Sequence, residues 1–406
     1  MIDPRDYGLD NLPFGIVSHG DDERKRPAVA FGDAVVDLDA LAGALLLDEE
    51  TLRGATTLNA FLARGLNVWR NVRARLQHLL GDAAEPFERE GVRKATLPRD
   101  RVTMHMPVAV GDYVDFYSSL QHATNIGRIL RPGAELLPNY RHIPIGYHGR
   151  ASTIVLSGTP VRRPHGQTKP PDAASPAFGP SRALDVELEM GWIAGPGNVH
   201  GEPVAADDVR AHVFGYVLLN DWSARDIQAW EYQPLGPFLA KSFATSISPW
   251  IVTLDALEPF RVAEPAREPE PLPYLRTREP WAYDVELEML LQTPRMREHA
   301  HPPLTITRTN LRGMYWTVAQ QLAHMTSNGS AVRPGDLFGT GTISGDEPGS
   351  EGSLMELTLR GARPLQLPGG ESRTFLEHGD TVTIRGRAVR GERRVGFGEV
   401  TGTIAG

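Results

Sequence analysis

Residues 185–190 read DVELEM, and residues 284–289 repeat the same six letters. In both copies acidic and apolar residues alternate, which is the period of a β-strand that carries its carboxylates on one face. The chain also contains 41 glycines and 33 prolines among 406 residues, well above the usual combined share of about 12%. Because this composition favours turns and short strands over long helices, the sequence predicts a mainly β fold.

Helical patterns occur at only a few places in the chain. Residues 56–80 and 310–326 carry apolar side chains at helical spacing; Gly81 ends the first pattern and Asn310 is a candidate cap for the second. The letters FGD at 31–33 predict a hairpin turn between two short strands. We therefore expect a small β-rich N-terminal domain, residues 1–108, and a larger domain, residues 109–406.

Composition excludes several classes of site and partner. The chain has no cysteine, which excludes structural disulfides, thiolate zinc sites and cysteine nucleophiles. The formal charge of −8 argues against nucleic acid and anionic membranes as partners. No apolar run approaches the ~20 residues that span a bilayer, and the first residues lack the features of a signal peptide. The simplest expectation is a soluble, cytoplasmic protein.

The segment GDYVDFYSSLQHATNIG, which starts at residue 111, holds the first candidate catalytic side chain. Asp115 and Tyr117 would share one face of a strand, and Ser118 or Ser119 could cap a helix that begins there. His122 would then lie in the first helical turn, where the helix dipole disfavours the imidazolium. A neutral imidazole is what a general base requires. A lone histidine more often caps or packs, so that alternative stays open.

The segment FGYVLLNDWSARDIQAWEYQPLGPFLAKSFATS, which starts at residue 214, carries a second set of candidates. An apolar strand ends at Asp221, and Arg225 and Gln228 would share one helix face. Lys241 follows in a context rich in glycine and proline. A carboxylate, an arginine and a glutamine at one strand end suit the binding of a cation and an anionic oxygen. Taken singly, Arg225 and Lys241 would more often be solvated surface charges.

Two further patterns have a functional and a structural interpretation. GTGTISG at 339–345 resembles a phosphate-binding loop but lacks the Walker lysine; a turn whose N–H groups and Thr342 meet a carboxylate is the better interpretation. Glu356 in SLMELTL predicts an acidic residue in an apolar strand, with a water-facing edge position as the alternative. The acids of each DVELEM repel one another, so solvent exposure is the simplest expectation for either copy alone.

Taken together, five segments resemble the fumarylacetoacetase (fumarylacetoacetate hydrolase) family, in the right order and over nearly the whole chain: DFYSSLQHATNIG, LPNYRHIPIGYHGRASTIVLSGTPVRRP, LDVELEMGW, NDWSARDIQAWEYQPLGPFLAKSFATSISPW and NGSAVRPGDLFGTGTISG. The resemblance implies a homodimer in which each chain has an N-terminal SH3-like β-barrel and a larger C-terminal mixed β-roll. It implies hydrolysis of the carbon–carbon bond of 4-fumarylacetoacetate to fumarate and acetoacetate, the last step of tyrosine breakdown through homogentisate.

The resemblance also implies roles for individual residues. Carboxylates that match the family's divalent-cation ligands, usually for Ca²⁺ or Mg²⁺, are Asp115, Glu187, Glu189 and Asp221. Residues that match a second cation position near Asp221 are Lys241 and Thr245. His122 matches the catalytic base, Glu356 the acid that orients it, and Arg225, Gln228 and Lys241 the groups that stabilise negative charge. Residues that match substrate contacts are Tyr117, Arg131, Tyr147, Gln228, Tyr232 and Thr342.

The chemistry of these residue types agrees with the implied reaction. Four carboxylates form an all-oxygen ligand set, which suits a hard cation such as Ca²⁺ or Mg²⁺ and not zinc. The expected partner is a small-molecule β-diketo acid. Only the first DVELEM matches the family motif, so Glu286 and Glu288 of the second copy are expected to be exposed strand residues. Two alternatives remain: a related enzyme such as an acylpyruvate hydrolase or decarboxylase, and a non-catalytic metal-binding scaffold.

Overall fold

The fold was analysed in a computed structural model of the chain, which describes residues 3–20, 22–133 and 135–405. Strands make up 31% of the chain and helices 26%, which confirms the predicted mainly β (α+β) fold. No described helix is long and apolar enough to cross a membrane. The α-helices are Leu38–Gly43, Asn59–Leu62, Leu66–Leu80, Pro86–Ala95, Leu120–Leu130, Arg225–Glu231, Leu254–Leu257, Pro294–Glu298, Val318–Thr326 and Leu354–Leu357.

The N-terminal part is built on one antiparallel sheet. Its five strands lie in the order Thr96–Pro98, Ala34–Asp37, Asp22–Phe31, Phe14–His19 and Val102–His105. The hairpin turn predicted at FGD is confirmed, and Gly32 adopts there a φ of 60°, in the left-handed region that favours glycine. The helical pattern of residues 56–80 forms two helices, because Gly65, at a φ of 84°, interrupts it.

A mixed sheet of eight strands occupies the centre of the molecule. Seven strands lie in the order Gly146–His148, Tyr113–Phe116, Leu337–Gly339, Leu188–Ala194, Val213–Asp221, Thr245–Ile247 and Ile154–Leu156. The eighth, Val252–Thr253, pairs with Val213–Asp221. Every residue of Val213–Asp221 is buried, which explains why this segment is an almost continuous apolar run: both faces of the sheet are covered.

A second five-stranded sheet packs against the central one. Its strands lie in the order Leu304–Asn310, Glu286–Gln292, Thr381–Arg390, Arg393–Ala405 and Val161–Arg162. Four two-stranded ladders complete the strands: His165–Thr168 with Ala177–Pro180, Leu184–Asp185 with Ser223–Ala224, Arg261–Val262 with Ala282–Tyr283, and Leu365–Leu367 with Glu371–Arg373.

Two hydrophobic cores enclose the central sheet. On one face, Leu218 and Trp222 belong to the same buried cluster as Phe397 of the second five-stranded sheet. On the other face, the Phe214 ring lies 5.5 Å from Phe14, 5.9 Å from Phe61 and 5.1 Å from Trp69. The N-terminal residues therefore share a core with the larger part, and a domain boundary at residue 108 stays a prediction.

The single helix predicted over residues 310–326 was wrong. Asn310 ends a strand, and its side chain caps only a short 3₁₀-helix, Leu311–Gly313. The α-helix begins at Val318, where Thr317 and Gln320 form a capping box with the backbone. Two separate caps thus divide the apolar pattern into two helices.

Candidate active site

Four carboxylates converge at one end of the central sheet. Asp115 lies in strand Tyr113–Phe116, and Asp221 ends strand Val213–Asp221. Glu189 lies in strand Leu188–Ala194, and Glu187 directly precedes that strand. All four are buried, and one oxygen of each lies within 4.8 Å of the others. Gly339, on the strand between, leaves room for them, since a Cβ there would collide with Asp115 and press on Glu189.

This acidic cluster has the properties of a cation site. Asp115 Oδ1 and Glu189 Oε1 are buried without a hydrogen-bond partner among the described residues, and such unpaired polar atoms are costly. Burial, reinforced by the neighbouring carboxylates, raises the pKa of Asp115 and Glu189 well above the usual range. A hard divalent cation would give these oxygens a partner and offset their repulsion. The residues present therefore fit the implied Ca²⁺ or Mg²⁺.

Two buried cations lie beside the cluster. Lys241 Nζ donates to Glu187 and, at 2.7 Å, to Asp221 Oδ2, while Arg225 Nη2 donates to Glu187 Oε1 at 2.7 Å. Burial alone would raise the pKa of Glu187, but Lys241 and Arg225 hold it well below the usual range. Thr245 Oγ1 donates to Asp221 Oδ1 at 3.1 Å. An ammonium has no lone pair and cannot ligate a metal ion, so the role of the Lys241 side chain here is to balance the charge of the carboxylates. The second cation position near Asp221 stays a prediction.

His122 and Glu356 form a buried pair next to the cluster. His122 is the third residue of helix Leu120–Leu130, and its backbone N–H donates to the capping Ser119 Oγ at 3.2 Å, as predicted. Its Nδ1 lies 2.7 Å from Glu356 Oε2. The strand predicted around Glu356 was wrong: Glu356 lies in the four-residue helix Leu354–Leu357, which is too short to give a helical period in the sequence.

Three polar residues that sequence reasoning missed hold the Glu356 carboxylate. Asn125 Nδ2 donates to Oε1 at 3.0 Å, Ser344 Oγ to Oε1 at 2.9 Å and Ser353 Oγ to Oε2 at 2.8 Å. Burial alone would raise the pKa of Glu356, but His122, Asn125 and Ser353 lower it. The spacing of Asn125, three residues after His122 on the same helix, was the available signal. Glu356 can therefore stay ionised beside the imidazole.

The cluster and the histidine open into one cavity of about 930 Å³, within the usual size of small-molecule sites. All six predicted substrate contacts line it: Tyr117, Arg131, Tyr147, Gln228, Tyr232 and Thr342. Arg131 Nε and Thr342 Oγ1 are buried without a partner among the described residues, so both can donate to a ligand. Asp221, Thr245 and Glu356 lie behind the cavity wall. The individual substrate contacts stay predictions.

The two DVELEM copies occupy different environments. Asp185, Glu187 and Glu189 of the first copy are buried, so exposure, the simplest expectation from sequence, was wrong for it. In the second copy Glu286 is exposed, as expected, and pairs with Arg387. Glu288 is half-buried, which the expectation of an exposed residue did not foresee, and pairs with Arg308. Within residues 3–20, 22–133 and 135–405, the first copy supplies two members of the single carboxylate group suited to a metal.

Comparison with known proteins identifies the family of this chain. The family model described as fumarylacetoacetate (FAA) hydrolase C-terminal matches residues 113–405, and the model described as fumarylacetoacetase N-terminal matches residues 10–107. The chain belongs to the fumarylacetoacetase family. It is 47% identical to the fumarylacetoacetase of Rattus norvegicus, over 100% of this chain and 97% of that one, and 49% identical to that of Arabidopsis thaliana, over 98% and 95%.

Membership of the fumarylacetoacetase family confirms the resemblance predicted from the sequence, and with it an enzyme of the hydrolase class. A solved structure of a fumarylacetoacetate hydrolase from Exiguobacterium antarcticum has a TM-score of 0.54 and 16% identity to this chain, over 97% of this chain and 99% of that one. At that identity the likeness shows a shared fold.

Proposed function

We propose that this chain hydrolyses the carbon–carbon bond of 4-fumarylacetoacetate to fumarate and acetoacetate, as the last step of tyrosine breakdown. The observation that carries the proposal is the buried His122–Glu356 pair, which reaches the same cavity as the four-carboxylate cluster. Identity of 47% to a fumarylacetoacetase over the full length of the chain supports the same substrate.

The His122 side chain supplies the proton transfers that this reaction needs. Hydrolysis requires water to lose a proton while its oxygen bonds to the attacked carbonyl carbon. The carbon–carbon bond then breaks, its electron pair leaves with the acetoacetate carbon, and that carbon takes up a proton. His122 Nε2 can accept the proton from water and return it to the leaving carbon, because Glu356 on Nδ1 orients the ring and stabilises the imidazolium.

The residues around the acidic cluster would manage the negative charge of the reaction. Asp115, Glu187, Glu189 and Asp221 would hold Ca²⁺ or Mg²⁺, which when bound supplies Lewis-acid polarisation of the two diketone oxygens. Four carboxylates exceed one divalent charge by two, and the two buried cations Arg225 and Lys241 offset part of that excess, since Arg225 also pairs with Asp185. Arg225, Gln228 and Lys241 line the cavity and can donate hydrogen bonds to the enolate oxygen as its charge develops.

Removal of divalent cations should abolish the activity reversibly. We expect purified protein to consume fumarylacetoacetate, followed as a loss of absorbance. The activity should stop after dialysis against a chelator, because the Lewis acid that the four carboxylates would hold is removed. Added Mg²⁺ or Ca²⁺ should restore the rate. An unchanged rate in chelator would contradict the cation's role. A higher kcat/KM for an acylpyruvate than for fumarylacetoacetate would contradict the proposed substrate.

An exposed apolar patch next to the cavity supports a homodimer. Trp230, Leu235 and Phe238 are 43%, 95% and 69% exposed, and Phe178, 75% exposed, lies on the hairpin that Trp230 contacts through Gln167. Several exposed large apolar side chains in one region of a protein often mark an interface. We propose that two copies of this chain associate through the patch. A cytoplasmic location stays a prediction from the sequence.

Charges placed in the patch should separate the proposed dimer. Leu235→Asp combined with Phe238→Asp is expected to halve the molar mass measured by light scattering after size-exclusion chromatography, because the carboxylates would be buried in an apolar contact. Leu45→Asp, at an 85% exposed position in the N-terminal part, is the matched control and should leave the mass unchanged. A monomeric wild type, or a double variant that stays dimeric, would refute the interface.

A further inference from the structure

We propose that Asp185 is a positioning residue that holds Arg225 and the helix of Glu356 in one fixed arrangement. This inference rests on the proposed function. Asp185 is the first acid of the functional DVELEM copy, yet it is outside the group of carboxylates suited to a metal and does not line the cavity. The resemblance to the family implies no role for Asp185, but its contacts in the structure indicate one.

The contacts of Asp185 explain why it cannot be a cation ligand itself. The residue is fully buried. Its Oδ2 accepts from Arg225 Nε at 2.8 Å and from the backbone N–H of Met355 at 3.1 Å. Its Oδ1 accepts from the backbone N–H of Leu354 and of Val186, both at 2.8 Å. Both oxygens are thus fully used by donors of the protein.

Through these contacts one carboxylate connects the two parts of the site. Arg225 is fixed from three directions, since Nε donates to Asp185, Nη2 to Glu187 at 2.7 Å and Nη1 to Gln228 Oε1 at 3.1 Å. Leu354 and Met355 begin the helix that carries Glu356. Asp185 therefore sets the plane of the guanidinium proposed to stabilise negative charge and also the start of the helix whose glutamate orients His122. Geometry of this precision is what preorganised donors need.

Asp185→Asn tests the connection to Arg225 directly. The amide keeps the size of the side chain and one oxygen for the N–H groups of Val186 and Leu354, but it presents a donor, in place of an acceptor, to Arg225 Nε and to the backbone N–H of Met355. We expect kcat to fall by about 10- to 100-fold with KM nearly unchanged, less than the ~10²–10³ for complete removal of a donor. In an Arg225→Ala background, Asp185→Asn should lower kcat by a clearly smaller factor than in wild type, because part of its effect acts through Arg225 and the rest through the helix of Glu356.

A second buried aspartate provides the matched control. Asp380 is fully buried and binds Arg373 through two hydrogen bonds of 2.9 and 3.1 Å, outside the active site. Asp380→Asn should lower the melting temperature but leave the kcat of the folded protein as in wild type. If Asp185→Asn does not fold, Asp185→Ser serves in the same comparison.

The outcomes separate this inference from the proposed function. Wild type that does not consume fumarylacetoacetate would refute the proposed function and the inference together. Wild type that is active, with Asp185→Asn no slower than Asp380→Asn or with effects of Asp185→Asn and Arg225→Ala that multiply fully, would refute the inference alone. The inference is supported if Asp185→Asn lowers kcat at constant KM and this effect is smaller in the Arg225→Ala background.

Discussion

Replacement of His122 by alanine is expected to lower kcat by about 10⁴, the upper end of what general acid–base catalysis contributes. Among the described residues, His122 is the one histidine that lines the cavity. Its Nδ1 pairs with the buried carboxylate of Glu356, which leaves Nε2 for water. Binding of a non-hydrolysable diketone analogue should be retained, because the cation site and the other cavity residues are unchanged. Steady-state kinetics and calorimetric binding measure the two quantities.

The matched control for this variant is His299→Ala. His299 is exposed, and its ring Nδ1 lies 2.9 Å from the backbone oxygen of Arg295, in the helix that His299 caps. The His299→Ala variant should have the kcat of wild type. A kcat near wild type for His122→Ala would remove this histidine from the mechanism, and loss of analogue binding would show that the substitution disturbs the cavity and not only the proton transfer.

Replacement of both Glu187 and Glu189 by glutamine is expected to abolish cation binding and to lower kcat at least about 10³-fold. Two of the four anionic ligands become neutral, so the site loses the charge that attracts a divalent ion and, with it, several kcal/mol of electrophilic stabilisation. Glutamine keeps the volume of each side chain and leaves acceptors for Arg225 and Lys241. Calorimetric titration with Mg²⁺ and Ca²⁺ measures the loss of cation binding, and the kinetic assay measures the loss of kcat.

The repeated hexapeptide provides the control within the same chain. Glu286→Gln with Glu288→Gln changes the same letters in the second copy, where the side chains form surface pairs with Arg387 and Arg308. Surface pairs of this kind contribute at most about 1 kcal/mol, so cation affinity and kcat should stay as in wild type. Equal losses in the two double variants would contradict the assignment of the site to the first copy.

Local patterns predicted part of the fold correctly. The turn at FGD, the strand that ends at Asp221 and the cap that places His122 in the first turn of its helix all depend on neighbours in sequence, and the structure confirms each. The helix of Glu356 was missed because four residues give no helical period; the available signal was its cap, Ser353, three positions before Glu356 in the S-x-x-E pattern of a helix N-terminus. The region of residues 310–326 shows the same limit, since caps and not apolar spacing divide it.

The site was predictable where motif and family agreed, and not where burial decided the role. Identical letters gave no means to separate Glu187 from Glu286, because exposure depends on what packs over each strand. Two partners of Glu356, His122 and Asn125, lie 234 and 231 positions away in sequence, and the nearer two, Ser344 and Ser353, carry a common residue type. Asp185 stands in the DVELEM motif, but its partner Arg225 lies forty positions away, so their contact could be seen only in the folded structure.

The most direct test of the account is a crystal structure of the protein grown with Mn²⁺ and measured at an energy where manganese scatters anomalously. The account predicts a peak among Asp115, Glu187, Glu189 and Asp221, on the cavity side of His122. A protein that hydrolyses fumarylacetoacetate but shows no peak at these carboxylates, or shows it elsewhere, would contradict the account.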